Sequence, residues 1–346
     1  VRTMTGQPTP GAGAVRPRLP RQPGRPDVFT FGETMVALRG GGPLKLGGTL
    51  QVSIAGAESN VAIGLARLGH DVRWAGAVGA DEAGQLVLRT LRAEGVEVSG
   101  ASTDPEAPTG LLWTEPRLPD VTRVHYYRTG SAGSRLTADL VRGAFSAAPP
   151  RVLHLTGITP SLSPTARRAA RQVFPLAREC GSLVCLDVNF RARLWTAAEA
   201  TAVLRAWVPF VDVLIASDDE LPLCLPGGTD TEGERPSLAA QAGLLLDLGV
   251  GEVVVTLGAE GATAFTRGGR VHRPAPSVRA VDAVGAGDAF VAGYLSALLD
   301  GEEPAGRLAR GVTTGAFAVA SAGDWEGAPT RAELGMLDAP PGTVVR

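Results

Sequence analysis

Short, almost unbroken apolar runs alternate along this chain with stretches where apolar side chains recur every third or fourth position. The runs are "DVFTFG" (27–32), "DVRWAGAVG" (71–79), "RVLHLTGI" (151–158), "SLVCLDVNF" (182–190), "VDVLIAS" (211–217) and "EVVVTLG" (252–258). Their continuity suits strands covered on both faces, as in a parallel sheet. The periodic stretches, 57–68, 82–94, 163–180, 196–207 and 237–248, predict helices, most of them closed by a glycine: Gly69, Gly95, Gly181 and Gly249. Repeating strand–helix units of this kind predict an α/β fold: a doubly wound, mostly parallel sheet sandwiched by helices. Residues 34–55 and 97–130 break the rhythm. The second contains a hairpin pattern, "TGLLWTE" followed by "TRVHYYRTG", and the two segments together are expected to form a small β lid outside the main sheet.

The first 26 residues carry five arginines, no acid and many prolines and glycines, so they predict a disordered extension, with one main domain following over 27–340. They lack the apolar segment of a signal peptide, and a cytoplasmic location is expected. A net charge of −2 supplies no basic field for nucleic acid or an anionic membrane, and no apolar run approaches a membrane span. Cys180, Cys185 and Cys224 have no CxxC spacing and the four histidines are scattered, which favours reduced thiols over a metal centre. Of the 33 basic residues all but Lys45 are arginine. Lys45 lies in "GGPLKLGG", which excludes both a P-loop and a protein-kinase strand lysine.

Candidate chemistry concentrates where predicted strands end. In "DAVGAGDAFVAGYL" (282–295) a helical stripe begins at Asp288, so Gly285, Ala286 and Gly287 sit at a helix N-terminus, where free N–H groups and the helix dipole favour an anion. An acid at that place is either a cap or a catalyst. Asn189 and Arg191 follow one apolar strand, and "ASDDE" (216–220) follows another. Its acids either cap the next helix or, through Glu220 and water, hold a Mg²⁺ ion. "TLGAEGA" (256–262) is either a hairpin turn or a flat shelf for a nucleotide base. In "TRVHYYR", alternation puts Val124, Tyr126 and Arg128 on one face, which is either a small-molecule surface or a solvated strand face. Gly56 and Asn60 open the helix of "AGAESNVAIGLARLG". Taken together, polar strand ends plus a glycine-rich helix start beside an acid suit phosphoryl transfer: the N–H groups receive developing phosphate charge and Asp288 accepts a hydroxyl proton. A Rossmann dehydrogenase fails, because "GAGDAF" lacks GxGxxG spacing and lies near the C-terminus.

These motifs resemble the ribokinase-like (PfkB) carbohydrate kinase family over residues 27 to about 337. "DAVGAGDAFVAGYL" resembles its C-terminal signature and "GAESNVAIGLARLG" its N-terminal one. "YYRTGSAGS", "HLTGITPSLSP", "LDVNFRARLW" and "GDWEGAP" are similar to the 2-keto-3-deoxygluconate kinases within it. The resemblance implies ATP and Mg²⁺, with Asp288 as catalytic base and Gly285, Ala286 and Gly287 as the anion hole. It implies sugar contacts from Gly56, Asn60, Tyr126, Arg128, Arg191 and Asp324. Asn189, Ser217, Thr256, Gly258 and Gly261 fall where such kinases hold ATP. Ala283 departs from the family's DTxGAGD pattern and Ser217 from its NxxE pattern. Two arginines in the sugar site favour a substrate carboxylate, and a homo-oligomer formed through the lid is expected. Fructokinase, ribokinase or another sugar kinase is the alternative within the class. Outside it, the alternative is a non-catalytic sugar or nucleotide sensor.

Overall fold

A computed structural model describes residues 24–118, 121–226, 236–339 and 343. In chain order the strands are β1 Val28–Phe31, β2 Met35–Gly40, β3 Leu50–Ala55, β4 Val72–Ala75, β5 Ala77–Gly79, β6 Ser102–Asp104, β7 Leu111–Leu118, β8 Val121–Tyr127, β9 Val152–Thr156, β10 Leu183–Asp187, β11 Val213–Ser217, β12 Glu252–Thr256, β13 Ala262–Thr266 and β14 Gly269–Arg273. The helices are α1 Ala57–Arg67, α2 Glu82–Ala93, α3 Ala138–Ala147, α4 Ile158–Leu162, α5 Pro164–Glu179, α6 Ala197–Trp207, α7 Leu238–Asp247, α8 Ala286–Asp300 and α9 Pro304–Val319.

Alternation along the strands sorts the helices into two layers. Phe29, Phe31, Leu153, Leu155, Val184 and Leu186 point to the side covered by α3, α5, α6 and α7. Val28, Val72, Trp74, Val152, Cys185 and Ile215 point to the side covered by α1, α2, α8 and α9. Fully burying one such aliphatic or aromatic side chain contributes about 1.5–3 kcal/mol, so the two layers together hold the sheet. The main sheet runs β14-β13-β12-β11-β10-β9-β1-β4, parallel from β12 to β4 and antiparallel over β13 and β14. The chain leaves β1 for β4 on one side and β9 on the other, so a crevice opens at the C-terminal ends of β1 and β9, where open α/β sheets bind ligands.

The lid is a four-stranded sheet, β3-β2-β7-β8, rooted directly in β1 through Gly32, Glu33 and Thr34. One of its faces gathers Met35, Ala37, Ala55, Leu112 and Val124, while Val36 and Ile54 turn the other way into the main core.

Several boundaries differ from the expectation. The expected lid segment 97–130 is divided: β6 pairs in parallel with β5 on the body, and only the part from Leu111 onward joins the lid. Asp81 pins the segment in between, its carboxylate accepting from the N–H groups of Gly84 (2.7 Å) and Thr109 (2.8 Å) and from the Thr109 hydroxyl (2.7 Å). The expected strand 71–79 is broken at Gly76 into β4 and β5, because the Trp74 ring packs where a side chain at 76 would lie. The helices α3 and α9 and the β13–β14 hairpin were not read from the pattern. Residues 1–23 of the expected N-terminal extension lie outside the described residues, whereas Arg25 is docked, donating to the Pro150 carbonyl at 2.7 Å. Among the described residues no helix is long and apolar enough to cross a membrane.

Candidate active site

The tightest constraint is at the start of α8. Gly285, its cap residue, has a left-handed φ of 75°, and a side chain there would overlap the carbonyl oxygen of Asp324. Only glycine meets both conditions. Ala286 and Gly287 follow in the first helical turn, and space beside Gly287 is open where a side chain would project. Among the described residues the Gly287 N–H has no backbone acceptor, so a donor at the helix start remains available to an anion.

Asp288 lies in that same turn and is buried. Asn60, in the first turn of α1, donates through Nδ2 to Asp288 Oδ2 at 2.8 Å, and Asn189 Nδ2 approaches the other oxygen at 3.4 Å. Burial pushes the Asp288 carboxyl up to about 7, against the opposing effects of Asn60 and the Arg191 charge, and Asp324 and Glu58 raise it further. A carboxyl so placed can exchange a proton near neutral pH. The role of a helix cap is excluded by position, since the cap residue is Gly285 and Asp288 makes no cap hydrogen bond.

Beyond β10 the backbone turns sharply. Asn189 has φ 41°, unlike every other non-glycine among the described residues, and its amide also donates to Asp187 at 2.9 Å. Asn tolerates that conformation better than most side chains. The turn carries Asn189 inward to the Asp288 carboxylate and leaves Arg191 exposed, its guanidinium donating to the Phe190 carbonyl at 3.0 Å. Glu220 braces the neighbouring strand end, accepting from Phe190 N–H at 2.6 Å and Ser217 N–H at 3.0 Å. Of the two readings of "ASDDE", capping of the next helix through the Glu220 side chain is not seen, since Glu220 makes no side-chain cap hydrogen bond. Ser217 sits in register with Thr256 at the adjacent strand end. Gly258 and Gly261, both with positive φ, form a single tight turn into the antiparallel β13. The hairpin reading of 256–262 holds, and its turn flanks the same edge of the sheet as Ser217.

The lid brings other groups. Gly56 caps α1 beside the Glu33 carbonyl, which a side chain there would approach to 2.5 Å. Arg128 stacks over Tyr126, 5.7 Å from the ring centroid. Its guanidinium is held by buried Glu33, with Nε and Nη2 at 2.7 and 2.5 Å from the same carboxylate oxygen. Ser131 donates to the other oxygen of Glu33. Asp324, half-buried beside Glu326 and Asp282, pairs with Arg39 of β2 rather than with Arg128 or Arg191. Arg128 therefore has its charge compensated, which corrects the picture of two unpaired cations facing the sugar site. Glu58, also buried, accepts from Thr156 (2.6 Å) and Thr159 (2.7 Å), and burial pushes its carboxyl up.

Glu33, Arg39, Glu58 and Asp187 were not singled out from the sequence. Glu33 had a usable signal, a polar residue immediately after an apolar run, which is how Asn189 was found. Arg39 shares the alternation of Met35 and Ala37, and Glu58 lies in a helix already marked. The buried acceptors Asn60 Oδ1 and Asn189 Oδ1 have no partner among the described residues. Both border the Asp288 carboxylate, so the site fits a hydroxyl-bearing ligand beside the base and a phosphate at the helix start. Asp187, pushed well up by burial and by the charges of Glu220 and Asp288, marks crowded negative charge that a hydrated cation would relieve.

The profile of the pfkB family carbohydrate kinases matches residues 25–331. The 2-dehydro-3-deoxygluconokinase of Bacillus subtilis (strain 168) is 37% identical over 319 residues, 89% of this chain and 94% of that protein. The 2-dehydro-3-deoxygalactonokinase of Haloferax volcanii is 34% identical over 299 residues, 84% of this chain and 90% of its own. The crystal structure of a PfkB protein from Polaromonas sp. JS666 superposes with a TM-score of 0.76 at 36% identity, covering 89% of this chain and 99% of the other. With a sheet, a lid and a helix-start acid arranged as described, the chain belongs to the pfkB family of carbohydrate kinases, and it is an enzyme that phosphorylates a sugar from ATP.

Proposed function

We infer that the enzyme transfers the γ-phosphoryl group of ATP to the 6-hydroxyl of 2-keto-3-deoxygluconate. The observation that carries this reading is Asp288, buried, near neutrality in its proton affinity, held by Asn60 and adjoining the free N–H of Gly287. The names of the Bacillus and Haloferax relatives support a 3-deoxy-2-keto sugar acid as the acceptor.

In this reading the sugar lies under the lid, between Tyr126 and Arg128 above and Gly56, Asn60 and Arg191 below, with Asp324 at its far side. Asp288 takes the proton of the attacking hydroxyl as the new O–P bond forms, and the N–H groups from Gly285 to Gly287 stabilise charge on the transferred phosphoryl oxygens. ATP extends along the edge marked by Asn189, Ser217, Thr256, Gly258 and Gly261. A Mg²⁺ ion held through water near Glu220 and Asp187 would supply neutralising charge for the phosphates. Closure of the lid excludes water and limits ATP hydrolysis.

A substrate panel with ATP tests the substrate class. The expected result is that 2-keto-3-deoxygluconate, or its galactonate epimer, is used with a kcat/KM at least about 10²-fold above fructose and ribose, in line with the loss expected when a charged contact is missing. Equal use of fructose replaces this reading with a fructokinase.

The lid also underlies the proposed self-association. Its outer strands β3 and β8 have no further strand partner among the described residues, and Val52, Tyr127 and Leu118 are exposed on them or beside them. Open, apolar strand edges are normally covered. Analytical ultracentrifugation is expected to show a homo-oligomer at assay concentration; a fully active monomer excludes it.

A further inference from the structure

Three consecutive residues of the loop after α9 are tied to the lid. Arg39 of β2 donates to Asp324 and stands 3.9 Å from Asp282. The Trp325 indole N–H donates to the Ile54 carbonyl of β3 at 3.1 Å. The Ser53 hydroxyl donates to Glu326 at 2.5 Å. From below, Arg67 of α1 donates to the carbonyls of Trp325 (3.3 Å), Glu326 (3.0 Å) and Ala328 (2.7 Å), and its guanidinium lies 5.1 Å over the Trp325 ring.

The same loop bears on the start of α8. The Asp324 carbonyl fills the space that a side chain on Gly285 would need. The segment leading into Gly285 is fixed behind it, with the N–H groups of Val281 and Asp282 both donating to the Val319 carbonyl at 2.8 and 3.2 Å. Any movement of Asp324 is therefore passed to the Gly285 cap, because packed backbone has no slack to absorb it.

We propose that Arg39 is a positioning residue for phosphoryl transfer: through its bond to Asp324, the lid sets the helix start that receives the phosphoryl group. This rests on the reading of Gly285–Gly287 as the anion hole. Arg39 does not touch that helix. It binds Asp324 through one carboxylate oxygen, Oδ2. The charged groups that act most on Asp324 are Arg39 from β2, Glu326 from its own loop and Asp282 from the segment before α8, and Asp324 in turn raises Asp288 of α8. The Asp324 carboxyl is pushed up to about 6 by burial, with the two acids adding to the push and Arg39 opposing it. Removing Arg39 leaves nothing in this set to counter the two acids, so Asp324 takes up a proton at higher pH, and the lid holds the loop only at Trp325 and Glu326, beyond the residue that packs on Gly285.

The test compares Arg39→Gln, Arg39→Lys and Asp288→Asn in the full chain, each with ATP and saturating sugar. Arg39→Gln is expected to lower kcat by roughly 10–100-fold, the cost of a small misplacement of reacting groups. KM for ATP should stay within about threefold, as for a group remote from the nucleotide. The acid limb of the kcat profile, set by Asp288, is expected to move to lower pH, because an Asp324 that holds its proton no longer raises the Asp288 carboxyl, and Arg39→Lys, which keeps the charge, should restore both kcat and the limb. If Arg39→Gln does not fold, Asp324→Asn takes its place, with the same split between kcat and the KM for ATP expected. Wild-type kcat in Arg39→Gln beside an inactive Asp288→Asn overturns the positioning role alone. A defect confined to the sugar KM, with the acid limb unmoved, also overturns it. Full activity in both variants removes Asp288 as the base and, with it, the placing of phosphoryl transfer at this helix start on which the proposal depends.

Discussion

Asp288→Asn is expected to lose about 10²–10⁴-fold in kcat while binding ATP nearly as well as the parent enzyme. Asn keeps the size of the side chain and can still accept from Asn60, but it cannot take the proton of the attacking hydroxyl. In the parent enzyme kcat/KM should fall on the acid side with an apparent pKa near 7, because a base pushed up to about 7 is protonated, and idle, below that pH. The variant should lack this limb. Its loss of activity will not come from unfolding. Because the folded carboxyl holds its proton up to about 7 and the unfolded one only to 3.8, its contribution to stability is present at low pH and is lost as pH rises through that window. Three pKa units correspond to about 4 kcal/mol as an upper bound, so Asn at 288 should leave the melting temperature at pH 8 equal or higher. Near-normal turnover in the purified variant removes Asp288 as the base.

Arg191→Ala is expected to raise KM for the keto-acid substrate by about 10–100-fold, the equivalent of one charge-assisted hydrogen bond of about 1.5–3 kcal/mol. KM for ATP should change far less. Arg191 has no ion-pair partner among the described residues and is exposed, so its removal breaks no salt bridge, although it also takes away a charge that lowers the proton affinity of Asp288 and Asp187. Arg128 is a poorer probe of the same idea. Its truncation strands Glu33, which is buried, and breaking such a pair costs about 3–5 kcal/mol of stability in its own right. Measuring both sugars settles the chemistry: if Arg191→Ala weakens fructose and 2-keto-3-deoxygluconate alike, the arginine is not reading a carboxylate.

The parallel part of the sheet was legible because a strand buried on both faces announces itself as a continuous apolar run. The helix start at Gly285 was legible because glycine, alanine and acid occur together at one local turn. Contacts made by the lid were not. Arg128 meets Glu33 across 95 positions and Arg39 meets Asp324 across 285, and no local period encodes such a pairing. The same limit explains the missed α9, whose glycines and threonines dilute its apolar stripe, and the misassigned stretch around Ser102, where alternation reveals a strand without revealing its sheet. The two-arginine argument for an acidic substrate shows the cost. It counted charges correctly and missed Glu33, the buried acid that compensates Arg128.

The way the lid joins the body has a further consequence. Its first half leaves the body at Thr34 and returns at Gly56, and these two points touch: a side chain at 56 would come within 3.1 Å of the Thr34 Cα. The first excursion therefore begins and ends at one spot, the arrangement that tolerates insertion and exchange of a segment. Such an excursion can be lengthened or shortened at its tip, between β2 and β3, without disturbing the helix start, whereas replacing it whole also replaces Arg39 and its tie to Asp324. Chimaeras joined at Thr34 and Gly56 are therefore expected to keep phosphoryl transfer only where the grafted segment supplies an arginine or lysine at position 39.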